Sequence, residues 1–173
     1  MKKLSVLFVA FLFVFTSCSS DDDNGNQIDL SVDITGQWDL TGIELEGDAS
    51  MTFEGQTVTI TYTGFGKDFD AEVIFTDNPK EVNATGTYTM VMTTSFLGFS
   101  ETEEYPVDFS DDFDAGTWSI EGNLLVITDA NTNEVQTAQI VHLTQNKMIL
   151  VMEEVESMDG MSATIIGEIT LER

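Results

Sequence analysis

Basic side chains are scarce in this sequence. Its 173 residues include only 6 lysines and arginines against 31 aspartates and glutamates, which gives a formal net charge of −25. Proteins that bind nucleic acid neutralise phosphates with lysine and arginine, so this composition argues against nucleic acid as a partner. A large charge of one sign also keeps copies of a protein apart, and we therefore expect a monomer.

Histidine and cysteine are scarcer still, with one residue of each. A single histidine cannot build the usual multi-histidine zinc site, and a single cysteine leaves no disulfide within the chain. His142 alternates with apolar neighbours on a predicted strand, and no nucleophile-elbow motif accompanies it. We interpret His142 as a structural residue and predict that the protein is not an enzyme.

The apolar run near the N-terminus, residues 4–15, is too short for a transmembrane helix, which needs about 20 apolar residues. It follows two lysines and precedes small polar residues, as in a secretory signal. With Cys18 it resembles the bacterial lipoprotein signal, which implies cleavage before Cys18 and acyl chains that anchor this cysteine in a membrane. Phe15 stands where that signal usually has leucine. An ordinary signal cleaved near Ser17, leaving a free thiol, is the alternative.

Three aspartates, Asp21, Asp22 and Asp23, follow the cysteine in a stretch that is too polar to fold. They resemble the export signal of Bacteroidetes-type surface lipoproteins, which implies a lipid-anchored outer-membrane protein exposed at the cell surface. A solvated tether without an export function is the alternative. We predict three regions: a signal peptide at 1–17, a lipidated acidic tether at 18–33 and a folded domain at 34–173.

Strand patterns dominate the rest of the chain. Residues 56–63 and 87–96 alternate apolar or β-branched with polar side chains, which is the period of a half-buried strand. Further strands are predicted at 38–45, 70–75, 116–121, 123–129, 135–144, 148–155 and 161–171, and a weaker one at 102–109. Pro106 marks this last candidate as an edge strand or a loop. Eight to ten strands joined by short turns predict an all-β, up-and-down antiparallel meander that closes into a barrel, with a two-layer sandwich as the alternative.

Three short motifs resemble one known family. The Gly-Gln-Trp stretch at 36–38 and the hairpin patterns at 116–129 and 140–153 resemble the lipocalin-like domains of Bacteroidetes lipoproteins. The resemblance spans roughly residues 34–173 and implies a small lipocalin-like β-barrel of the calycin type. It also implies that the first-strand tryptophan, Trp38, packs at the closed end of the barrel. A late basic residue often covers that tryptophan, and Arg173, the only arginine, is the candidate.

Methionine is concentrated in the second half of the chain. If the barrel closes, five side chains can share its interior: Tyr88, Met90, Met92, Met148 and Met152. Methionine adapts its shape to ligands, and pockets for small molecules are mostly apolar. These residues are therefore candidates for binding a small apolar ligand. The alternative is a solid barrel in which methionine is an ordinary core filler.

One acidic loop has oxygen ligands at calcium-like spacing. Four of its acids, Asp108, Asp112, Asp114 and Glu121, are candidate metal ligands. The EF-hand pattern fails at Ala115, where glycine is required, and a strand rather than a helix follows. A looser Ca²⁺ loop and a simple solvated loop both remain open, and no other cofactor is predicted.

Two functions from different classes fit these features. The first is an outer-membrane lipoprotein whose barrel binds a small apolar molecule. The second is a cell-envelope interaction protein with a solid barrel, whose acidic surface contacts a protein, a glycan or divalent cations. The apolar stretch at residues 95–100 would be the contact patch in the second case and a lid over the barrel mouth in the first.

Overall fold

The computed structural model describes residues 28–53, 56–112, 115–158 and 161–173. The predictions for Cys18, Asp21, Asp22, Asp23 and Asp114 lie outside these residues. Nine strands and one helical turn occur in the described chain: β1 Gly36–Phe53, β2 Gln56–Phe75, β3 Glu81–Phe96, β4 Phe99–Asp108, α1 Phe109–Asp112, β5 Gly116–Glu121, β6 Leu124–Asp129, β7 Val135–Leu143, β8 Lys147–Met158 and β9 Met161–Glu172. In this part of the chain no helix has the length and apolar character that a bilayer crossing requires.

All nine strands belong to one antiparallel sheet that closes on itself. The hydrogen-bonded order is β2-β1-β9-β8-β7-β6-β5-β3-β4, and an additional pairing of β2 with β3 completes the ring. Eight strands form this ring, and β4 attaches only to β3. Closure removes most of the exposed edges that an open sheet would present. The predicted barrel is confirmed, and the two-layer sandwich is not formed.

The ring is complete at one end only. There β3 pairs with β5 through two residue pairs, of which the second is Val82 with Gly116. The pairing of β7 with β8 ends at Gln139 and Val151. Beyond these points the longer strands continue alone as a six-stranded sheet in the order β4-β3-β2-β1-β9-β8. We call the two parts the closed end and the open sheet.

Most strands agree with the prediction, but β1, β2 and β3 are longer than predicted. β3 begins at Glu81, six residues before its predicted start. β1 runs to Phe53, eight residues beyond the predicted end. The two predicted strands at 56–63 and 70–75 form one strand, β2. Glycines and charges between them suggest a break, but a register shift between Lys67 and Asp70 absorbs the irregularity as a bulge. The weak candidate at 102–109 is β4, and its position outside the ring agrees with the edge role expected of Pro106.

The core fills the closed end. Its largest fully buried side chains include Trp38, Phe75, Phe109 and Leu171. Ile28, Leu30 and Val32 are partly buried against this core, so packing begins before residue 34. The nine strands and the core residues described here all lie within residues 28–173. We therefore expect this part of the chain to fold by itself.

Candidate functional site

Trp38 and Arg173 meet at the closed end of the barrel. Trp38 is fully buried, and its indole N–H donates a 2.8 Å hydrogen bond to the carbonyl of Ile34. The guanidinium carbon of Arg173 lies 4.1 Å from the centroid of the indole ring. This is cation–π geometry, which stabilises a contact by about 0.5–1 kcal/mol at exposed sites.

Three backbone carbonyls hold the guanidinium of Arg173 in this position. Its Nη1 and Nη2 donate to Thr35 at 2.6 Å and Asp33 at 2.8 Å, while Nε donates to Gln145 at 2.6 Å. The backbone N–H of Arg173 also donates to Asn146. The side chain thus ties the segment before β1 to the β7–β8 turn over Trp38. This arrangement stabilises the closed end and is not exposed to a ligand inside the barrel.

A cavity of about 630 Å³ opens where the closed end becomes the open sheet. Four of the five candidate ligand contacts line it: Tyr88, Met90, Met92 and Met152. The Tyr88 and Met90 side chains are almost fully buried, at 4% and 5% exposed, whereas Met92 and Met152 are half-buried. The innermost part of the cavity is therefore formed by buried residues of β3, and its outer part by the half-buried side chains of Met92 and Met152.

Met148 is separated from the other four candidates. It is fully buried in the core and does not line the cavity. Its register explains this, since Met148 pairs with Leu171 near the closed end whereas Met152 pairs with Gly167 four residues further along β8. Met148 is therefore a core residue.

Residues that were not predicted complete the lining. Tyr105 and Val107 on β4 stand opposite Met90 and Tyr88 on β3. Opposite residues of an antiparallel pair share one face of the sheet, so the alternation along β4 would have shown them once its pairing was known. Gly167 on β9 also lines the cavity, and a Cβ atom added there would meet no heavy atom within 4 Å.

The charged residues beside the cavity are all carboxylates. Glu44, Glu153, Glu154 and Glu168 are part of the lining, and no lysine, arginine or histidine among the described residues is. The first three are exposed and the fourth is half-buried. By register only Glu154 lies on the cavity side of the sheet, whereas Glu44, Glu153 and Glu168 lie on its other face. An anionic head group held at this opening would meet the like charge of Glu154, which disfavours its binding.

The predicted calcium loop shows an ordinary turn where it is described. Oδ1 of Asp108 accepts hydrogen bonds from the Ser110 hydroxyl at 2.7 Å and from its backbone N–H at 3.0 Å. These bonds hold the pKa of Asp108 below its usual value. No group of three or more metal-binding side chains occurs among the described residues, which include Glu121 but neither Asp114 nor the Asp112 side chain. Calcium binding by this loop stays a prediction.

A second concavity, of about 760 Å³, lies at the bulge of β2. Its lining includes three carboxylates, Asp39, Asp70 and Glu72, together with Thr41 and Thr85. It is larger than the barrel cavity, but its apolar residues are only Leu40, Phe69 and Ala71 beside three carboxylates, so the barrel cavity is the better candidate for a small organic ligand. His142, also outside the cavity, is half-buried on β7 opposite Ile149.

Comparison with known proteins agrees with this geometry. The family model of the lipocalin-like domain matches residues 34–150, from the segment before β1 into β8. No curated protein and no solved structure matches the chain. The matched region covers more than half of the sequence and contains Trp38 and three of the four cavity candidates. The chain therefore belongs to the family of lipocalin-like domains.

Proposed function

We propose that the protein binds a small apolar molecule in the barrel cavity and is held at the outer membrane by acyl chains on Cys18. The observation that carries the binding proposal is the cavity of about 630 Å³. Its volume lies within the roughly 300–1,000 Å³ that small-molecule sites occupy. The family consists typically of binding proteins rather than enzymes, which supports a role without catalysis.

The lining favours an apolar ligand, and the inner wall of the cavity is already formed before the ligand enters. Tyr88 and Met90 are already buried at the inner wall, so the site is preformed there. Met92 and Met152 stand at its two sides and are flexible enough to adjust to a bound molecule. Because the charged side chain on the cavity side, Glu154, is a carboxylate and no basic side chain of the described residues lines the cavity, we expect neutral or cationic ligands to bind more tightly than fatty acids.

Gly167 allows the cavity to be closed by a single substitution. It pairs with Met152 and with Leu45, and a side chain added there points into open space. A Gly167→Phe variant should fold normally and fill the opening. Thr63→Phe is its matched control, because Thr63 is exposed on the other face of the sheet, next to Gly64.

Native mass spectrometry of residues 28–173, purified without detergent, tests the proposal. The protein is compared before and after addition of a mixed pool of neutral lipids, fatty acids and alkylamines. We expect a one-to-one adduct that Gly167→Phe abolishes and Thr63→Phe retains. A bare mass throughout, from a cooperatively folded domain, would overturn ligand binding.

The membrane anchor is tested separately on the full chain. Its support is the match of residues 4–18 to a lipoprotein signal and the acidic residues that follow. Three acyl chains would hold the protein far more firmly than one, which binds membranes only reversibly. We expect acyl mass on Cys18 and loss of Cys18→Ala from the membrane fraction. A Cys18→Ala protein that stays with the membrane would contradict the anchor.

A further inference from the structure

The inner face of the open sheet is largely apolar and partly exposed. By register its first row across the sheet is Met152, Gly167, Leu45, Gly64, Met92 and Glu103. The next row is Glu154, Ile165, Gly47, Tyr62, Thr94 and Glu101. A third row contains Ala163, Ala49, Ile60, Phe96 and Phe99. Of these side chains, Phe99 is 79% exposed and Phe96 is 41% exposed.

The outer face of the same sheet is different in character. Hydroxyl groups pair across its strands, Thr93 with Thr102 at 2.8 Å and Ser95 with Ser100 at 2.7 Å. Ser50 and Ser162 form a further pair on this face, also at 2.8 Å. The outer face thus has paired hydroxyl groups around a few exposed apolar side chains such as Phe65 and Val155, whereas the inner face has its aromatic and aliphatic side chains in adjoining rows. Contiguous exposed apolar surface of this kind marks interaction sites.

Charge is distributed unevenly between the two parts of the fold. Three of the basic side chains, Lys80, Lys147 and Arg173, lie at the closed end, where Lys80 stacks on Trp118 and Lys147 pairs with Glu172. The fourth basic residue of the described chain, Lys67, pairs with Glu104 at 2.7 Å on the outer face. The charged side chains that the described residues place on the inner face, on β4 and β8 at its two sides, are therefore all carboxylates.

We propose that the inner face of the open sheet docks a cationic amphipathic segment of another protein, with its apolar side on the row of Ile60, Phe96 and Phe99 and its lysines or arginines beside Glu101, Glu103 and Glu154. Charge complementarity selects this occupant, since the glutamates lie on β4 and β8 at opposite sides of the apolar surface. A second copy of this chain would bring the same carboxylates against them and be repelled.

The dimensions of the face suit a peptide segment. From Leu45 to Met51 the strand β1 advances about 20 Å, and six strands span about 24 Å. An amphipathic helix of about 13 residues has the same length. This proposal goes beyond ligand binding in the barrel, because the row of Ile60 lies outside the cavity lining, while Glu154 and Ile165 belong to both surfaces.

Calorimetric titration of residues 28–173 with synthetic peptides tests the proposal. The probe is an amphipathic helix of about fourteen residues made of leucine and lysine. Two controls of equal length replace lysine by glutamate or leucine by serine. We expect binding of the leucine–lysine peptide alone, weakened when salt is raised from about 50 mM to about 0.5 M. Equal binding of the leucine–glutamate peptide, or no heat with the leucine–lysine peptide at about 100 µM, would overturn it.

Matched variants test whether the inner face is the site. Glu103→Gln with Glu154→Gln removes two inner charges and should weaken binding about five- to tenfold at low salt. Glu46→Gln with Asp48→Asn removes two charges from the exposed outer side of β1 and should change affinity less than about twofold. Equal losses in both double variants would mean that net charge alone attracts the peptide, and would refute a docking face.

A second pair of variants tests the apolar contact. Phe99→Ser should weaken binding, whereas Phe65→Ser should not, because Phe65 is 52% exposed on the outer face opposite Glu44. Sedimentation of the peptide-free protein tests whether a second copy of this chain occupies the face instead. A concentration-dependent dimer that Phe99→Ser dissociates would assign this face to a second copy and overturn the proposal.

Discussion

Arg173 should stabilise the barrel more than an exposed arginine normally does. Its guanidinium makes three hydrogen bonds to backbone carbonyls and lies 4.1 Å from the Trp38 ring centroid. Hydrogen bonds to charged groups contribute about 1.5–3 kcal/mol when sheltered. Arg173 is exposed, and screening by water reduces each bond to about 0.5–1 kcal/mol. With about 0.5–1 kcal/mol from the cation–π contact, Arg173→Ala should lower the free energy of unfolding by about 2–4 kcal/mol.

Arg173→Lys separates charge from geometry. Lysine keeps the positive charge, but it is a point donor that cannot reach three carbonyls as the planar guanidinium does. We expect Arg173→Lys to recover at most about 1 kcal/mol of the loss. A double-mutant cycle with Trp38→Phe should give a coupling energy of about 0.5–1 kcal/mol, because both residues contribute to one contact.

Urea unfolding of residues 28–173, followed by far-ultraviolet circular dichroism, measures these differences without relying on tryptophan emission. The cycle is valid only if all four proteins unfold cooperatively with similar dependence on urea. A loss below about 0.5 kcal/mol in Arg173→Ala would refute the reasoning, since it would place this contact among ordinary surface pairs. Full rescue by lysine would show that charge, and not the hydrogen-bonded fork, stabilises the closed end.

Three further predictions concern stability. Gly116→Ala should lower the free energy of unfolding by about 1–3 kcal/mol, because the added Cβ would collide with the Thr128 carbonyl oxygen. Gly167→Ala should be neutral or slightly stabilising, because its Cβ would meet no heavy atom within 4 Å. Equal effects of the two variants in the same urea experiment would contradict this. Backbone N–H groups of Thr132 and Asn131 donate to Asp129 and hold the pKa of its carboxyl below the usual value for aspartate. This contribution to stability is therefore present above about pH 4 and is lost as pH falls through the lowered pKa. Asp129→Asn should therefore be less stable than the wild type at pH 7 and converge with it in acid, and parallel melting curves from about pH 6 to pH 2 would be the contrary result. Added NaCl should raise the melting temperature by screening the net charge of −25, with MgCl₂ acting more strongly, and a melting temperature independent of salt would exclude repulsion as a destabilising force.

Sequence patterns predicted the barrel because most of its strands alternate in the usual way. In β5 the predicted and observed bounds coincide at Gly116–Glu121, since Trp118 and Ile120 point inward and Gly122 ends the strand. The continuity of β2 was not predictable from local pattern. Lys67–Asp70 has the composition of a turn, and only pairing with β1 and β3 on both sides keeps it in the sheet.

The candidate site was predictable in composition but not in depth. Tyr88, Met90, Met92 and Met148 share an apolar pattern, so alternation places them inside the barrel. Their distance from the closed end depends on register, which pairs Met148 with Leu171 and Met92 with Gly64. The residue pattern of a single strand does not determine its register with a strand that is distant in sequence. The pattern therefore could not show that Met148 lies in the core while Met92 lines the cavity.

The unequal lengths of the strands connect the two proposed binding sites. β5, β6 and β7 have 6, 6 and 9 residues, whereas β1 and β2 have 18 and 20. The short strands complete the ring only around the Trp38 core, so the long strands must leave one face uncovered. Where the ring ends, this face begins as the cavity wall of Met92 and Met152 and continues as the apolar rows around Ile60 and Phe96. A small molecule and an amphipathic segment would thus occupy neighbouring parts of one surface. Prior binding of an alkylamine in the cavity should then weaken leucine–lysine peptide binding, because Glu154 and Ile165 belong to both surfaces, and an unchanged affinity would show that the two sites do not overlap.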